Sequence, residues 1–133
     1  MPKQSYCAKS VFDPPAYTQG VRVSGPGTTL YISGQIAQDA NGSTVGKGDF
    51  AAQARQVFEN LKAMVEAGGG TLADVVKLTF YLTDVRYRQD LVPIREKYFG
   101  PKLPASTLLT TPALAHPDYM LEVECVAFVP EAR

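Results

Sequence analysis

The sequence predicts an α/β protein, a two-layer α+β sandwich in which two helices cover one face of a β-sheet. Two observations predict this class. Several segments alternate apolar and polar residues, as half-buried strands do, while two others repeat apolar residues three and four positions apart, as amphipathic helices do. These segments follow one another in the order ββαβαββ, and strands that alternate with single helices favour a sheet with helices packed on it.

Length and composition limit the classes of protein. The chain has 133 residues, so we expect a single domain over residues 1–133. Hydrophobic residues are 45% and charged residues 20%, which disfavours disordered and disulfide-rich classes. The formal net charge is +0, which argues against nucleic acid as a partner. Because no apolar stretch is long enough for a membrane helix or a secretory signal, we expect no membrane partner and a cytoplasmic location.

The first strand is predicted at residues 28–36, where Gly34 lies on the apolar face and Ser33 on the other. A Gly-Pro-Gly turn precedes this strand and predicts that residues 21–23 pair with it as a short hairpin. Residues 39–48 are rich in glycine, asparagine, serine and aspartate, which suit turns. We therefore expect a loop there that leads into a helix.

The first helix is predicted at residues 50–67, from apolar residues three and four apart. Asp49 is the expected N-cap, because its carboxylate can accept from free N–H groups of the first turn. The glycine triplet at 68–70 supplies a residue with positive φ for the other end. Since phosphate-binding glycine loops precede their helix, this triplet indicates a helix end.

The second half of the chain reads as strand, helix, strand and strand. Alternation predicts a strand at residues 75–83, and helical spacing predicts a helix at 84–99, with Pro93 in its first turn or at a bend. Runs rich in threonine, leucine and valine predict strands at 105–111 and 119–129.

One face of the predicted sheet is left without helices. Its side chains would mix apolar and polar groups, a surface too apolar to face water and too polar for the core of a monomer. Association of copies through this face is therefore expected, with polar sites trapped between subunits. The apolar residues on this face are Tyr31, Tyr81, Met120, Val126 and Phe128.

Two carboxylates of the last strand are candidates for chemistry. Glu122 and Glu124 are two residues apart, so they share a face at a separation of roughly 7 Å in an apolar setting. A carboxylate buried there would have a raised pKa and could act as an acid or base on a bound water. The alternative is an ion pair across the sheet with Lys77 or an arginine.

Other nucleophile and metal patterns are weak. His116 is the only histidine and has no partner ligands at metal-binding spacing, so no metal is expected. Serines such as Ser33 and Ser106 lie in no Gly-x-Ser-x-Gly elbow, which argues against a serine hydrolase. Cys7 and Cys125 are far apart and indicate reduced thiols, and Cys125 is predicted to be a core residue with a raised pKa.

Four further segments form an ordered set of motifs. They are Tyr17-Thr18-Gln19-Gly20, Ile32-Ser33-Gly34-Gln35-Ile36, Ala51-Ala52-Gln53-Ala54-Arg55-Gln56 with Asn60-Leu61-Lys62, and Leu121-Glu122-Val123-Glu124. In order and spacing this set resembles the RidA/YjgF reactive-intermediate deaminase family, also known by the older label endoribonuclease L-PSP. The resemblance implies a chorismate-mutase-like fold, a homotrimer whose sheets face a central barrel, and three clefts between subunits.

The resemblance also implies a reaction. The best-known members hydrolyse 2-imino or enamine acids to 2-keto acids and ammonia, without a metal or organic cofactor. By position, Glu122 would hold or activate the attacking water and Tyr17 would line the cleft. Ser33 and Gly34 would offer hydroxyl and backbone donors, and Ser106 stands where the family has its signature arginine, which clamps the substrate carboxylate.

This chain departs from the family at three polar positions. Besides Ser106 in place of the arginine, it has Val92 at the usual asparagine and Leu108 at the usual cysteine. A serine hydroxyl offers one neutral hydrogen bond where a guanidinium offers a bidentate, charge-assisted pair. The resemblance with these departures therefore implies a cleft reshaped for a less anionic or differently held small-molecule ligand.

Other cations remain candidates to hold such a ligand. Arg22, Arg95 and Lys102 either supply a charge to the cleft from another direction or are ordinary solvated residues. Three functions follow: hydrolysis of a non-standard imine or enamine, small-molecule binding without catalysis, and RNA cleavage. The third is disfavoured by the net charge of +0 and the single histidine.

Overall fold

A computed structural model describes residues 2–131, and within them the chain forms seven strands and two helices. A short 3-10 helix at Leu72–Asp74 precedes the fifth strand. The helices are α1 (Phe50–Ala67) and α2 (Tyr87–Phe99). The strands are β1 (Lys3–Tyr6), β2 (Tyr17–Thr18), β3 (Gly20–Val23), β4 (Gly27–Gln35), β5 (Val75–Leu82), β6 (Leu103–Thr110) and β7 (Leu121–Pro130).

Five strands form one mixed sheet in the order β2-β6-β5-β7-β4. Strand β6 runs parallel to β2 and β5, while β7 runs antiparallel to β5 and β4. Both helices pack on the sheet, as the predicted α+β sandwich requires. The strand order also places β2, which contains Tyr17, and β4, which contains Gly34, at opposite edges of the sheet.

The predicted hairpin between residues 21–23 and the next strand is wrong. Strand β3 pairs antiparallel with β1, with Lys3 opposite Val23, in a separate two-stranded sheet. The backbone N–H of Ser24 donates to the carbonyl of Pro2 at 2.8 Å, and Gly25 then turns the chain with φ of +81°. The turn lies where the sequence predicted it, but the partner strand is the N-terminal one, which the sequence pattern did not indicate.

Helix α1 begins and ends as predicted. The carboxylate of Asp49 accepts from the N–H of Ala52 at 3.1 Å, and Gly69 has a φ of +97° just beyond the helix. Helix α2 starts at Tyr87, so Pro93 lies in its second turn; of the two predicted alternatives, a first-turn position or a bend, the first is wrong. The chain reaches Tyr87 through a turn in which Asp84 accepts from the N–H of Arg86 at 2.9 Å.

The core lies between the sheet and the helices. Leu78, Phe80 and Leu82 of β5 are fully buried, which confirms the predicted alternation of that strand. Phe58 of α1 contacts Phe80 edge-on, with ring centroids 6.4 Å apart. Cys125 is also a core residue, and burial raises the pKa of its thiol to about 11, as predicted.

Two amides of α1 hold the loops around the sheet. Gln53 is completely buried; it donates to the carbonyl of Asp118 at 2.8 Å and accepts from the N–H of Met120 at 2.9 Å. Asn60 donates to the carbonyls of Ile36 and Gln38, at 3.1 and 2.9 Å. These amides fix the segments that leave β4 and enter β7. Between residues 2 and 131, no helix is long and apolar enough to cross a membrane.

Candidate functional site

The sheet face without helices carries the two glutamates of β7. Opposite them on β5, Tyr81 pairs with Glu122 and Thr79 with Glu124. The Tyr81 hydroxyl donates to Glu124 Oε1 at 2.6 Å, and this bond raises the pKa of Tyr81. Glu124 is therefore held by a phenol of the same face.

Glu122 has a different environment from its neighbour. Its carboxylate is half-buried and accepts no hydrogen bond from residues 2–131, and burial followed by the nearby charge of Glu124 raises its pKa. No salt bridge within that range includes either glutamate. Lys77 donates to Thr107 Oγ1 at 2.7 Å. The alternative of an ion pair with Lys77 is thus wrong for both glutamates.

A β-bulge brings Gly34 against Glu122. Ile32 pairs with Cys125, but Gln35 pairs with Val123, so one extra residue of β4 lies between these pairs. The expectation that Gly34 shares the face of Ile32 is wrong, because the extra residue shifts the alternation. A Cβ on Gly34 would lie 2.8 Å from Cδ of Glu122 and would overlap its carboxylate, so only glycine allows this approach.

Ser33 precedes this glycine and is exposed. Its carbonyl accepts from Nε2 of Gln35 at 3.2 Å, and its hydroxyl bonds to none of residues 2–131. The structure therefore brings Ser33 and Gly34 together with Glu122 at the edge of the sheet formed by β4 and β7.

The other predicted residues lie in a separate cleft of about 490 Å³. Tyr17 of β2 and Ser106 of β6 line it, together with Leu108. Ser106 pairs with Leu78, whose side chain lies in the core, so it projects on the helix side of the sheet. Val92, at the family's usual asparagine, does not line this cleft.

Two arginines of α2 complete the cleft. Arg88 is exposed at its rim, whereas Arg95 is only 9% exposed. Burial and the charge of Arg88 lower the pKa of Arg95. No carboxylate in residues 2–131 forms a salt bridge with either side chain. Two guanidinium groups of α2 therefore line the cleft.

Sequence reasoning considered Arg95 and missed Arg88. A signal existed, since Arg95 follows the buried Leu91 by four residues and Arg88 by seven, which places all three on one helix face. The other cations considered do not reach the cleft: Arg22 is exposed on β3, and Lys102 is exposed before β6.

Within one chain, the two groups of predicted residues lie apart. Tyr17 belongs to β2 and Gly34 to β4, at opposite edges of a five-stranded sheet and therefore about 19 Å apart at the usual strand spacing. Glu122 also projects from the face opposite to that of Ser106. One chain thus contains two separate groups of candidate residues, one with a carboxylate and one with a cleft and two cations.

The comparisons with known proteins decide the family. A family model described as Endoribonuclease L-PSP matches residues 12–129. The chain belongs to the RidA/YjgF family. A RutC family protein from Pyrococcus horikoshii is 37% identical over 112 residues, which cover 84% of this chain and 86% of that protein.

Solved structures of the RidA/YjgF family agree with the fold. A Rid family protein from Yersinia pestis is 31% identical and superposes with a TM-score of 0.83, covering 96% of this chain and 98% of the other. RidA from an Antarctic Psychrobacter is 32% identical with a TM-score of 0.70, covering 94% of each chain. The resemblance of the four motifs and the fold class are thereby confirmed.

Proposed function

We propose that this RidA/YjgF member hydrolyses an imine or enamine by adding water to its C=N bond, with Glu122 as the catalytic acid and base. The observation that carries the proposal is the Glu122 carboxylate, which is half-buried, has no ion pair or hydrogen bond within residues 2–131, and lies against Gly34. A carboxylate kept free and partly desolvated at a family motif is suited to proton transfer.

The addition of water and the departure of the amine each need a proton transfer, and one carboxylate can perform both. The Glu122 carboxylate takes a proton from water as the water oxygen bonds to the carbon of the protonated C=N group. The same carboxyl then returns that proton to the nitrogen of the carbinolamine. The C–N bond then breaks, the departing ammonia takes up the hydroxyl proton, and a ketone and an ammonium ion result. A raised pKa favours this cycle, because it brings the acid and base forms closer in energy near neutral pH.

The complete site is proposed to form between copies in a homotrimer. One copy supplies the cleft with Tyr17 and Ser106, and its neighbour supplies Glu122 and Gly34. The sheet face that carries the glutamates supports this arrangement, because Tyr31, which is 83% exposed, adds a large apolar group to it. A trapped cleft of this kind would also exclude bulk water from the reacting carbon.

The test is hydrolysis of 2-iminobutanoate, generated in situ by an amino-acid-deaminating enzyme. We expect turnover by the wild type and a loss of about 10²-fold or more in kcat/KM for Glu122→Gln, because the amide cannot take a proton. Glu66→Gln is the matched control, since Glu66 is exposed on α1 and does not line the cleft.

Two results would contradict this proposal. If Glu122→Gln turned over as fast as the wild type, Glu122 would not be the acid and base. If the wild type bound small molecules but turned over no imine or enamine, the alternative of a non-catalytic binding protein would take the place of the deaminase proposal.

A further inference from the structure

We propose that Arg95 and Arg88 form an anion subsite, in which two helix guanidinium groups hold a carboxylate of the ligand. Such a subsite would replace the strand arginine that the family has at the position of Ser106. The inference deepens the proposed function by naming the ligand as a carboxylate, and it can be tested by binding alone.

The burial of Arg95 is the first support. Its side chain is 9% exposed, and no carboxylate of residues 2–131 neutralises it through a salt bridge. Partial desolvation of a guanidinium is costly when no carboxylate offsets it, so the uncompensated charge of Arg95 destabilises the free protein. A ligand anion in the cleft would supply the missing partner.

The charges around the subsite are the second support. Arg88 and Arg95 line the same cleft and repel each other, which contributes to the lowered pKa of Arg95. The acids nearby do not cancel this charge: Glu96 is exposed and acts on Arg95 only at a distance, and Asp84 is bound to Arg86 at 2.5 Å. An anion between the two guanidinium groups would reduce their repulsion.

The shape and lining of the cleft are the third support. Phe80 and Val85 give it apolar walls, which strengthen an ionic contact by excluding water. Ser106 adds a small side chain with a hydroxyl donor to the same lining. Together with Arg95, the donors of Arg88 and Ser106 and the apolar walls suit a short carboxylic acid.

The experiment is a calorimetric titration with 2-oxobutanoate, a carboxylate that needs no catalysis to bind. Butanone serves as a neutral probe of similar size. We expect the wild type to bind the carboxylate and not the ketone, Arg95→Gln to weaken binding at least 10-fold, and Arg88→Gln to weaken it less, because Arg88 is exposed. The matched control is Arg55→Gln, on the exposed side of α1, which should bind as the wild type does.

A second variant keeps the test independent of folding. Because Arg95→Met removes a buried, unpaired charge, we expect it to melt at a higher temperature than the ligand-free wild type. Added 2-oxobutanoate should raise the melting temperature of the wild type and leave that of Arg95→Met unchanged. The inference is overturned if Arg95→Gln and Arg95→Met bind the carboxylate as tightly as the wild type, or if the wild type binds neither probe or both equally.

Failure of this inference is distinguishable from failure of the proposed function. Binding that depends on Arg95, without turnover of any imine, would keep the anion subsite and remove the deaminase activity. Turnover that depends on Glu122, with carboxylate binding that does not depend on Arg95, would keep the deaminase activity and remove the anion subsite.

Discussion

At the scale of single residues, the two glutamates of β7 show how local contacts separate identical side chains. Glu124 accepts from Tyr81, whereas Glu122 lies unbonded against Gly34, although both belong to the same face of the same strand. The sequence predicted that they share a face and a raised pKa for a buried one. It did not indicate which would be engaged, because the Tyr81 contact runs diagonally between strands.

The raised pKa of Glu122 predicts a pH dependence. As a base, Glu122 must be ionised, so kcat/KM should fall as pH drops through its raised pKa. The charge of Glu124 is one cause of the shift. In Glu124→Gln that charge is absent, so the pKa of Glu122 should fall and the acid limb of the pH profile should move to lower pH. An acid limb at the same pH in the wild type and Glu124→Gln would contradict this coupling.

The contact between Gly34 and Glu122 predicts the effect of adding one methyl group. In Gly34→Ala the new Cβ would displace the carboxylate, and since that carboxylate is the end of a flexible side chain, the fold should survive. We expect a loss of about 10²-fold in kcat/KM with an unchanged melting temperature, because misplaced catalytic groups cost about this much. Ser43→Thr adds a methyl group at an exposed serine of the loop before α1, as a control for bulk. Full activity in Gly34→Ala would show that the close approach has no catalytic role.

At the scale of elements, helices were predicted more accurately than strand partners. Helix α1 has the predicted bounds because its cap, its apolar spacing and its glycine end are all local signals. The pairing of β3 with β1 and the bulge in β4 depend on contacts distant in sequence, so alternation alone could not reveal them. For the same reason, Tyr17 and Ser106 of the cleft were predicted but Arg88 was not, since only folding brings α2 to the same cleft as Ser106.

Gln53 is the element-scale prediction for stability. Its buried amide joins α1 to the loop before this helix and to the loop before β7 through three hydrogen bonds, and Gln53→Ala would leave those backbone groups without partners. We expect the free energy of unfolding to fall by about 3 kcal/mol, measured by urea denaturation at fixed protein concentration. Arg55→Ala, two residues away and exposed, should change it by less than about 0.5 kcal/mol. A loss for Gln53→Ala as small as that of the control would show that these bonds do not hold the loops.

At the scale of the whole molecule, the open sheet face predicts the assembly. Leu109 of β6 pairs with Tyr81 on that face and is 40% exposed. We expect sedimentation to give about three times the chain mass of 14.4 kDa for the wild type and a shift towards the monomer for Leu109→Glu, which adds charge beside the two glutamates. Val23→Glu, 41% exposed on β3, is the matched control. A wild type that sediments as a monomer would contradict the trimer.

If one active site combines the cleft of one copy with Glu122 of its neighbour, two inactive variants should restore activity when their chains are mixed in one trimer. Glu122→Gln removes the acid and base but leaves the cleft intact. Ser106→Phe fills the cleft but leaves Glu122 intact. If the two proteins are unfolded together in equal amounts and refolded, random assembly gives about a quarter of the sites two intact halves. We expect imine hydrolysis at about a quarter of the wild-type rate from two inactive parents, and a mixture as inactive as its parents would rule out a site shared between copies.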